Sequence, residues 1–411
     1  MGELAIGRPG LLLVDDRPGS FTDYVISRTD VDVFLLRFEP WADALPKDYL
    51  DGTKHLPTFV VRADVPLEEE AARYRSWVVT QERPPGYFCN PHEPLQEVSQ
   101  RFAGLVGLPH LDDLQVGWVR RKPQMKARFQ ELGIPCAQYR EVATLEQIEA
   151  FGEEYGWPLI VKPVDSFASI DTYKLETPEE LSQLPDLGRR EWMVEEFLTG
   201  KEYQLCAVVA GGVVLDAWPS WTPAALLETV AGAMNANVTI AEPTELPVDV
   251  KRITQNLVDG MRIDHGYLHM EFFLSMDGSF HMSEIGARLA GCEIPTNHGL
   301  SHGFDIFSVT LDTYLGRSPE LPYTQKRCVG DLLLPISAGR ITRMTGLDEL
   351  KRMPGVLGGK LRFAVGDVVD PRRASNASSG YVHVEGETVE ETASRMENVL
   401  DEFEFEVEKA P

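Results

Sequence analysis

Residues 267–288 read Tyr267-Leu268-His269-Met270-Glu271-Phe272-Phe273-Leu274-Ser275-Met276-Asp277-Gly278-Ser279-Phe280-His281-Met282-Ser283-Glu284-Ile285-Gly286-Ala287-Arg288. Two β-prone runs flank Asp277-Gly278, a dipeptide suited to the tight turn of a hairpin. A two-residue turn there sets Glu271 directly opposite Glu284. Like charges facing each other across antiparallel strands are destabilising. The pairing therefore implies a compensating partner, and a divalent cation between carboxylate oxygens supplies one. Arg288, four residues past Glu284, falls on the same face under the two-residue strand period. Two carboxylates and a guanidinium on one sheet face suit phosphate chemistry assisted by a metal.

The rest of the chain sets bounds on that reading. Its 411 residues exceed what one ordinary core holds, so two or three domains are expected. With 43% hydrophobic and 25% charged residues the composition is that of a globular protein. A formal charge of −25, from 39 basic and 64 acidic residues, argues against a nucleic-acid partner. Any phosphate ligand then depends on a few local lysines. Five cysteines without CxxC spacing suit a reducing cytoplasm better than a disulfide framework or a zinc site. The MGELAIGRPG start lacks a secretory layout, and no apolar run reaches membrane-spanning length. The expectation is a cytoplasmic protein with no membrane partner.

Residues 10–16 read as a buried parallel strand. Runs at 31–37 and 58–62 alternate with helix-compatible segments at 67–79 and 94–105, which implies an open α/β sheet. Neither GxGxxG nor GxxxxGK[ST] occurs, so no dinucleotide fingerprint or P-loop is present. Residues 1–115 are expected to form this first domain, 116–190 a small lobe and 191–411 a large lobe with a carboxy-terminal extension. Helices are expected at 123–132 and 145–156, strands at 157–163, 168–175, 191–197 and 202–209, and later helices at 305–315, 347–353 and 388–401. Residues 219–240, rich in Ala, Thr and Asn without a clear period, read as a loop.

Four separated pieces then fall in a recognisable order. Lys122 precedes a helix, Lys162 ends a strand, Val194-Glu195-Glu196-Phe197-Leu198-Thr199-Gly200-Lys201-Glu202 follows, and the carboxylate hairpin with Arg288 comes last. This order resembles the ATP-grasp superfamily over roughly residues 116–320. Ser283-Glu284-Ile285-Gly286-Ala287-Arg288-Leu289-Ala290-Gly291 is most similar to L-amino-acid ligases of the bacilysin-synthetase and carnosine-synthase type, as are Gly339-Arg340-Ile341-Thr342 and Gly380-Tyr381-Val382 further on. The resemblance implies a multidomain α/β and α+β fold: two ATP-grasp lobes behind a Rossmann-like preATP-grasp domain.

It also implies roles. Lys122 and Lys162 reach ATP phosphates, as point charges on flexible stems can; Lys126 competes for the role of Lys122. Glu195, Phe197 and Leu198 form the hinge that reads the adenine edge, and Glu202 accepts from the ribose hydroxyls. Ser169 donates to phosphate from the loop after Lys162. Glu271 and Glu284 hold one or two Mg²⁺ ions, with Mn²⁺ as a substitute, and Arg288 neutralises the transferring phosphoryl group and the tetrahedral adduct. Gly291, Cys292, Asn297 and His298 line the substrate pocket. The activity implied is ATP-dependent joining of a small carboxylate, such as an amino acid, to an amine through an acyl phosphate, and relatives of this kind imply a homodimer.

Two positions depart from the family pattern. Gly286 stands where many members carry an Asn metal ligand, and the loop after Lys162 (Pro163 to Asp171) has no glycine and two aspartates, Asp165 and Asp171. Two other readings stay open: a purine-biosynthesis or carboxylase-type enzyme of the same superfamily, and a nucleotide-binding regulatory protein without turnover. His265/His269 and His298/His302 have the i,i+4 spacing of helical zinc ligands, but the first pair sits in a strand-like run, and Gly299 interrupts the second.

Overall fold

The computed structural model describes residues 7–229, 232–242, 246–370 and 376–408. Near the amino terminus β1 (Gly10–Val14), β2 (Asp32–Phe38), β3 (Thr58–Val61) and β4 (Tyr87–Cys89) form a parallel sheet in the order β3-β2-β1-β4. The unbroken apolar run Leu11–Val14 has its cause here, since both faces are covered. Leu12 and Val14 pack with the Leu67–Val78 and Gln96–Val106 helices, while Leu11 and Leu13 pack with Phe21, Val25 and the Ile306–Tyr314 helix. The carboxyl ends of β1 and β4 run into Asp15–Arg17 and Asn90–Pro94, at the end of a parallel sheet where ligands gather.

A second, antiparallel sheet has the order β5-β8-β6-β7: β5 (Tyr139–Val142), β6 (Leu159–Pro163), β7 (Tyr173–Leu175) and β8 (Trp192–Glu196). The Leu145–Tyr155 helix covers it with Ile148 and Phe151, entered through a capping box between Thr144 and Gln147. The expected lobe boundary at 190/191 needs correction. β8 pairs with β5 on one side and β6 on the other, so this sheet runs through Glu196. The returning strand is also shorter than the expected 168–175, because residues 164–172 turn as a loop.

The third sheet is the largest, in the order β13-β12-β9-β10-β11-β14-β18-β16. Its strands are β9 (Lys201–Ala210), β10 (Val213–Trp221), β11 (Ala236–Thr239), β12 (His265–Leu274), β13 (Phe280–Gly286), β14 (Cys328–Leu334), β16 (Val356–Leu361) and β18 (Gly380–Gly386). The intervening β15 (Gly339–Met344) and β17 (Val368–Val369) join β19 (Phe405–Glu408) in a small separate sheet. Two strands, β10 in part and β11, occupy the segment 219–240 expected as a loop; Val230 and Ala231 lie outside the described residues. Their apolar residues hide the period because β11 is buried on both faces, with all four residues inaccessible.

One face of this sheet carries Tyr203, Leu205, Met270, Phe272 and Ile285 against Met125 and Phe129 of the Lys122–Glu131 helix and Leu257 of the Val250–Met261 helix. On the other face β9 changes character along its length. Cys206 and Val208 join the core shared with β1, whereas Glu202 and Gln204 front a cleft.

The opening hairpin forms with Glu271 opposite Glu284, but by a different route from a two-residue turn. Ser275 N–H donates to Ser279 and Gly278 N–H donates to Ser275, with Gly278 at φ 84°, so the loop has three residues. That shifts the outer pairs by one, to Leu274–Phe280, Phe273–His281 and Phe272–Met282. A β-bulge at Ser283 then inserts one residue and restores the Glu271–Glu284 pair.

Candidate active site

The three larger sheets meet at a cleft of about 640 Å³. Lys162 lies on β6 and Lys122 opens the helix that follows Arg121, and both are almost fully buried. Lys162 Nζ stands 2.7 Å from Glu195 Oε1 and 2.9 Å from Glu284 Oε1. Lys122 Nζ stands 3.5 Å from Glu284 Oε2 and donates to the Ser166 carbonyl at 2.5 Å. Lys126, one helical turn on, sits behind them. It pairs with Glu195 Oε2 at 2.9 Å and does not line the cleft, so Lys122 is the cation presented to a ligand.

These contacts set the charge states. Burial pulls the Lys162 ammonium down, yet Glu195 and Glu284 outweigh it and hold it above the ordinary lysine range. Burial pushes Glu284 up, yet Lys122 and Lys162 outweigh that and hold it well below the carboxylate range. Glu271 is the opposite case. Burial, then Glu284, then Glu202 push it up to about 8. No hydrogen bond or ion pair to its carboxylate is made by any of the described residues. Burial likewise brings Glu202 to about 7, although it accepts from Leu226 N–H at 2.8 Å. A crowded, unpaired carboxylate opposite a second one is what a cation would relieve, so the pair fits Mg²⁺. Among the described residues no cluster of three or more metal-ligating side chains occurs, and Mg²⁺ needs few, taking its other ligands from phosphate and water.

The hinge follows β8. Glu195, Phe197, Leu198 and Glu202 all front the cleft, the Phe197 ring covered by Lys174 with Nζ 4.0 Å from its centroid. Gly200 closes the hinge at φ 135°, where a Cβ would stand 2.3 Å from the Leu274 carbonyl, so only glycine lets hinge and hairpin meet. The loop after Lys162 reaches the cleft through Ser166, Phe167, Ala168, Ser169 and Thr172. It gains without glycine the left-handed backbone that glycine would supply: Ala168, Ser169 and Asp171 have φ of 51°, 54° and 55°. Asp165 and Asp171 do not line the cleft; Arg190 binds them at 3.0 and 2.9 Å.

Arg288 follows β13. Its Nε donates to Glu93 Oε2 at 2.9 Å and its Nη2 joins the same oxygen, while Nη1 meets His269 Nδ1 at 3.0 Å and the Leu289 carbonyl at 2.7 Å. Gly291 and Cys292 line the cleft, with Cys292 at φ 55°. Asn297 and His298, expected there too, do not. Both are 0% exposed on the Ile294–His302 helix, whose inner face packs on β11 and β14. Asn297 binds Asp331 at 2.6 Å and His383 at 2.9 Å, and His298 lies 3.2 Å from Thr239 and stacks on Trp218. His298 and His302 do share one helix across Gly299, but the His302 ring bonds the His298 carbonyl at 3.1 Å.

Sequence reasoning passed over Glu93, Gln204 and His269. The last two sit two residues from Glu202 and Glu271, so the strand period alone places them on the cleft face. Glu93 follows a parallel strand, where the end of the sheet is the signal.

Comparison with known proteins places this arrangement. A solved L-amino acid ligase of Bacillus licheniformis superposes over 98% of this chain and 99% of its own, with a TM-score of 0.76 at 18% identity. The chain has the ATP-grasp fold. Along the chain the parallel sheet comes first, then the four-stranded antiparallel sheet, then the eight-stranded one. A carboxyaminoimidazole ribonucleotide synthase of Aspergillus clavatus, solved with ATP, covers 96% of this chain and 99% of its own, with a TM-score of 0.68 at 14% identity. Residues 332–408 match the family model of L-amino acid ligase C-terminal domain 2. In sequence, an L-arginine-specific L-amino acid ligase of Bacillus subtilis is 24% identical over 269 residues, 63% of this chain and 65% of that protein. The match thus spans just under two thirds of that relative's length.

Proposed function

We propose that this ATP-grasp protein is an ATP-dependent carboxylate–amine ligase acting on an amino acid or a related small acid. The observation that carries the reading is the Glu271–Glu284 pair, with Lys122, Lys162 and Arg288 around it in one cleft. The ligase names of relatives in sequence and fold support it, as does the ATP in the Aspergillus structure.

The γ-phosphoryl group passes from ATP to the substrate carboxylate, leaving ADP and an acyl phosphate. The amine then attacks the acyl carbon, the C–N bond forms, the C–O bond to phosphate breaks, and the amine's proton leaves. Such chemistry depends on positioning and charge. Lys122 and Lys162 hold phosphate oxygens, the hinge at Phe197 and Leu198 seats the base, and Glu202 accepts from the ribose. Glu271 and Glu284 would hold Mg²⁺, which would supply neutralisation of phosphate charge. Arg288 faces the developing oxyanion, and Gly291 and Cys292 flank the substrate. Ser169 donates from a loop whose aspartates are turned onto Arg190.

An ADP-release assay with Mg·ATP and mixtures of amino acids tests this. Amine-dependent release, lost in Glu284→Ala, is expected. Tight ATP binding without ADP release from any acid–amine mixture would leave a nucleotide-binding protein instead.

A further inference from the structure

We propose that His269 and Gln204 are positioning residues that aim Arg288, clamping its guanidinium against Glu93 of the amino-terminal domain. The inference deepens the ligase reading and rests on it for the role of Arg288. Arginine carries only donors, so the 3.0 Å contact from Nη1 requires His269 Nδ1 to accept. The ring proton is then on Nε2, which faces Gln204 Oε1 at 2.5 Å. That bond fixes the tautomer, as a partner on the far nitrogen does for a working histidine. Gln204 is 2% exposed and sits opposite Glu271 in the strand register, so its amide is held by the same sheet that carries the carboxylates. Glu93 binds the guanidinium from the opposite side through Nε and Nη2.

The result is a four-residue chain, Gln204–His269–Arg288–Glu93, that crosses β9, β12, the segment after β13 and the loop after β4. A long arginine side chain has many rotamers to lose. Fixing it before substrate arrives places a charge where the oxyanion forms without reorganisation. Among the described residues no other side chain makes a hydrogen bond or ion pair with Arg288, and Lys122 and Lys162 are paired with Glu284 and Glu195.

The test compares His269→Leu with His269→Asn, whose Oδ1 offers an acceptor where Nδ1 stood. His269→Leu should lower kcat by about ten- to hundredfold, the size of one lost hydrogen bond to a charged group. Its ATP dissociation constant should stay within about twofold. His269→Asn should recover most of that loss, a rescue that a packing role would not give. Equal kcat in both variants and the wild type, or equal loss in both, overturns the proposal. Crystal structures of the variants supply a second readout independent of turnover. Arg288 leaving its position in His269→Leu but not in His269→Asn supports the clamp, and an unmoved Arg288 in both overturns it. If the wild type joins no acid to any amine, the ligase reading falls while the crystal structures still decide the clamp.

Discussion

At the scale of single residues the site is governed by buried charge, and Lys122, Lys126, Lys162 and Arg288 each have a carboxylate counterpart. Glu195 stands between Lys126 and Lys162, both almost fully buried. Removing it leaves two desolvated ammonium groups, of which only Lys162 keeps a second carboxylate. Glu195→Ala should therefore cost about 3–5 kcal/mol of stability, as broken buried pairs do, and equilibrium denaturation reads it. Asp331 gives a pH signature. Burial pushes its carboxyl from an ordinary 3.8 up to about 7, with Asn297 opposing. Between those values the folded chain holds a proton that the unfolded chain has released. Stability should thus fall as pH rises through the window, at no more than about 1.4 kcal/mol per pH unit. Thermal melts of Asp331→Asn should show a flatter profile than the wild type; a parallel profile would clear Asp331 of the effect. The meeting of Lys162 and Glu284 in one cleft was readable from chain order and register. The places of Asn297 and His298 were not, because adjacency in sequence says nothing about which side of a helix faces a cleft.

At the scale of elements the loop after Lys162 departs most from expectation. Its want of glycine is met by three side-chain-bearing residues in left-handed backbone, and its two aspartates are held by Arg190. Arg190→Ala should release both charges towards the phosphate end of the cleft. ATP affinity should then drop by about 1.4- to fivefold, the equivalent of roughly 0.2–1 kcal/mol for an exposed pair. Nucleotide titration measures it, and an unchanged affinity would show that Asp165 and Asp171 act outside the phosphates' reach. Three of the four strands of the first sheet, and the 67–78 and 96–106 helices, were legible from their apolar runs and alternation; β4, three residues long, was not. Nor was β11, since a short strand buried on both faces shows no alternation. The boundary at 190 failed for a different reason: only the pairing of β8 with β5 and β6 assigns it, and pairing is not written in local sequence.

At the scale of the whole molecule the cleft draws on the three larger sheets, so ligand binding and folding are linked. Mg·ATP at a hundred times its dissociation constant should raise stability by about 2.7 kcal/mol. Melting curves across an ATP series check this, and Glu284→Ala or EDTA should remove the metal-dependent part. An ATP series that leaves the melting temperature unmoved would sink the nucleotide assignment itself. The parallel α/β character of the amino-terminal region was legible, but its part in the cleft was not. Glu93 reaches Arg288 only because the turn after β4 is folded against the segment that follows β13, a contact between residues 195 positions apart.

The bulge at Ser283 has an engineering consequence. It takes up the one-residue offset between the hairpin's tip and its base, so a three-residue loop is compatible with the Glu271–Glu284 register. Met276, at that tip, is 95% exposed. A fluorophore attached through Met276→Cys, or a short epitope grafted beside it, would ride on a hairpin that leads straight into the cleft while leaving the cleft's lining undisturbed.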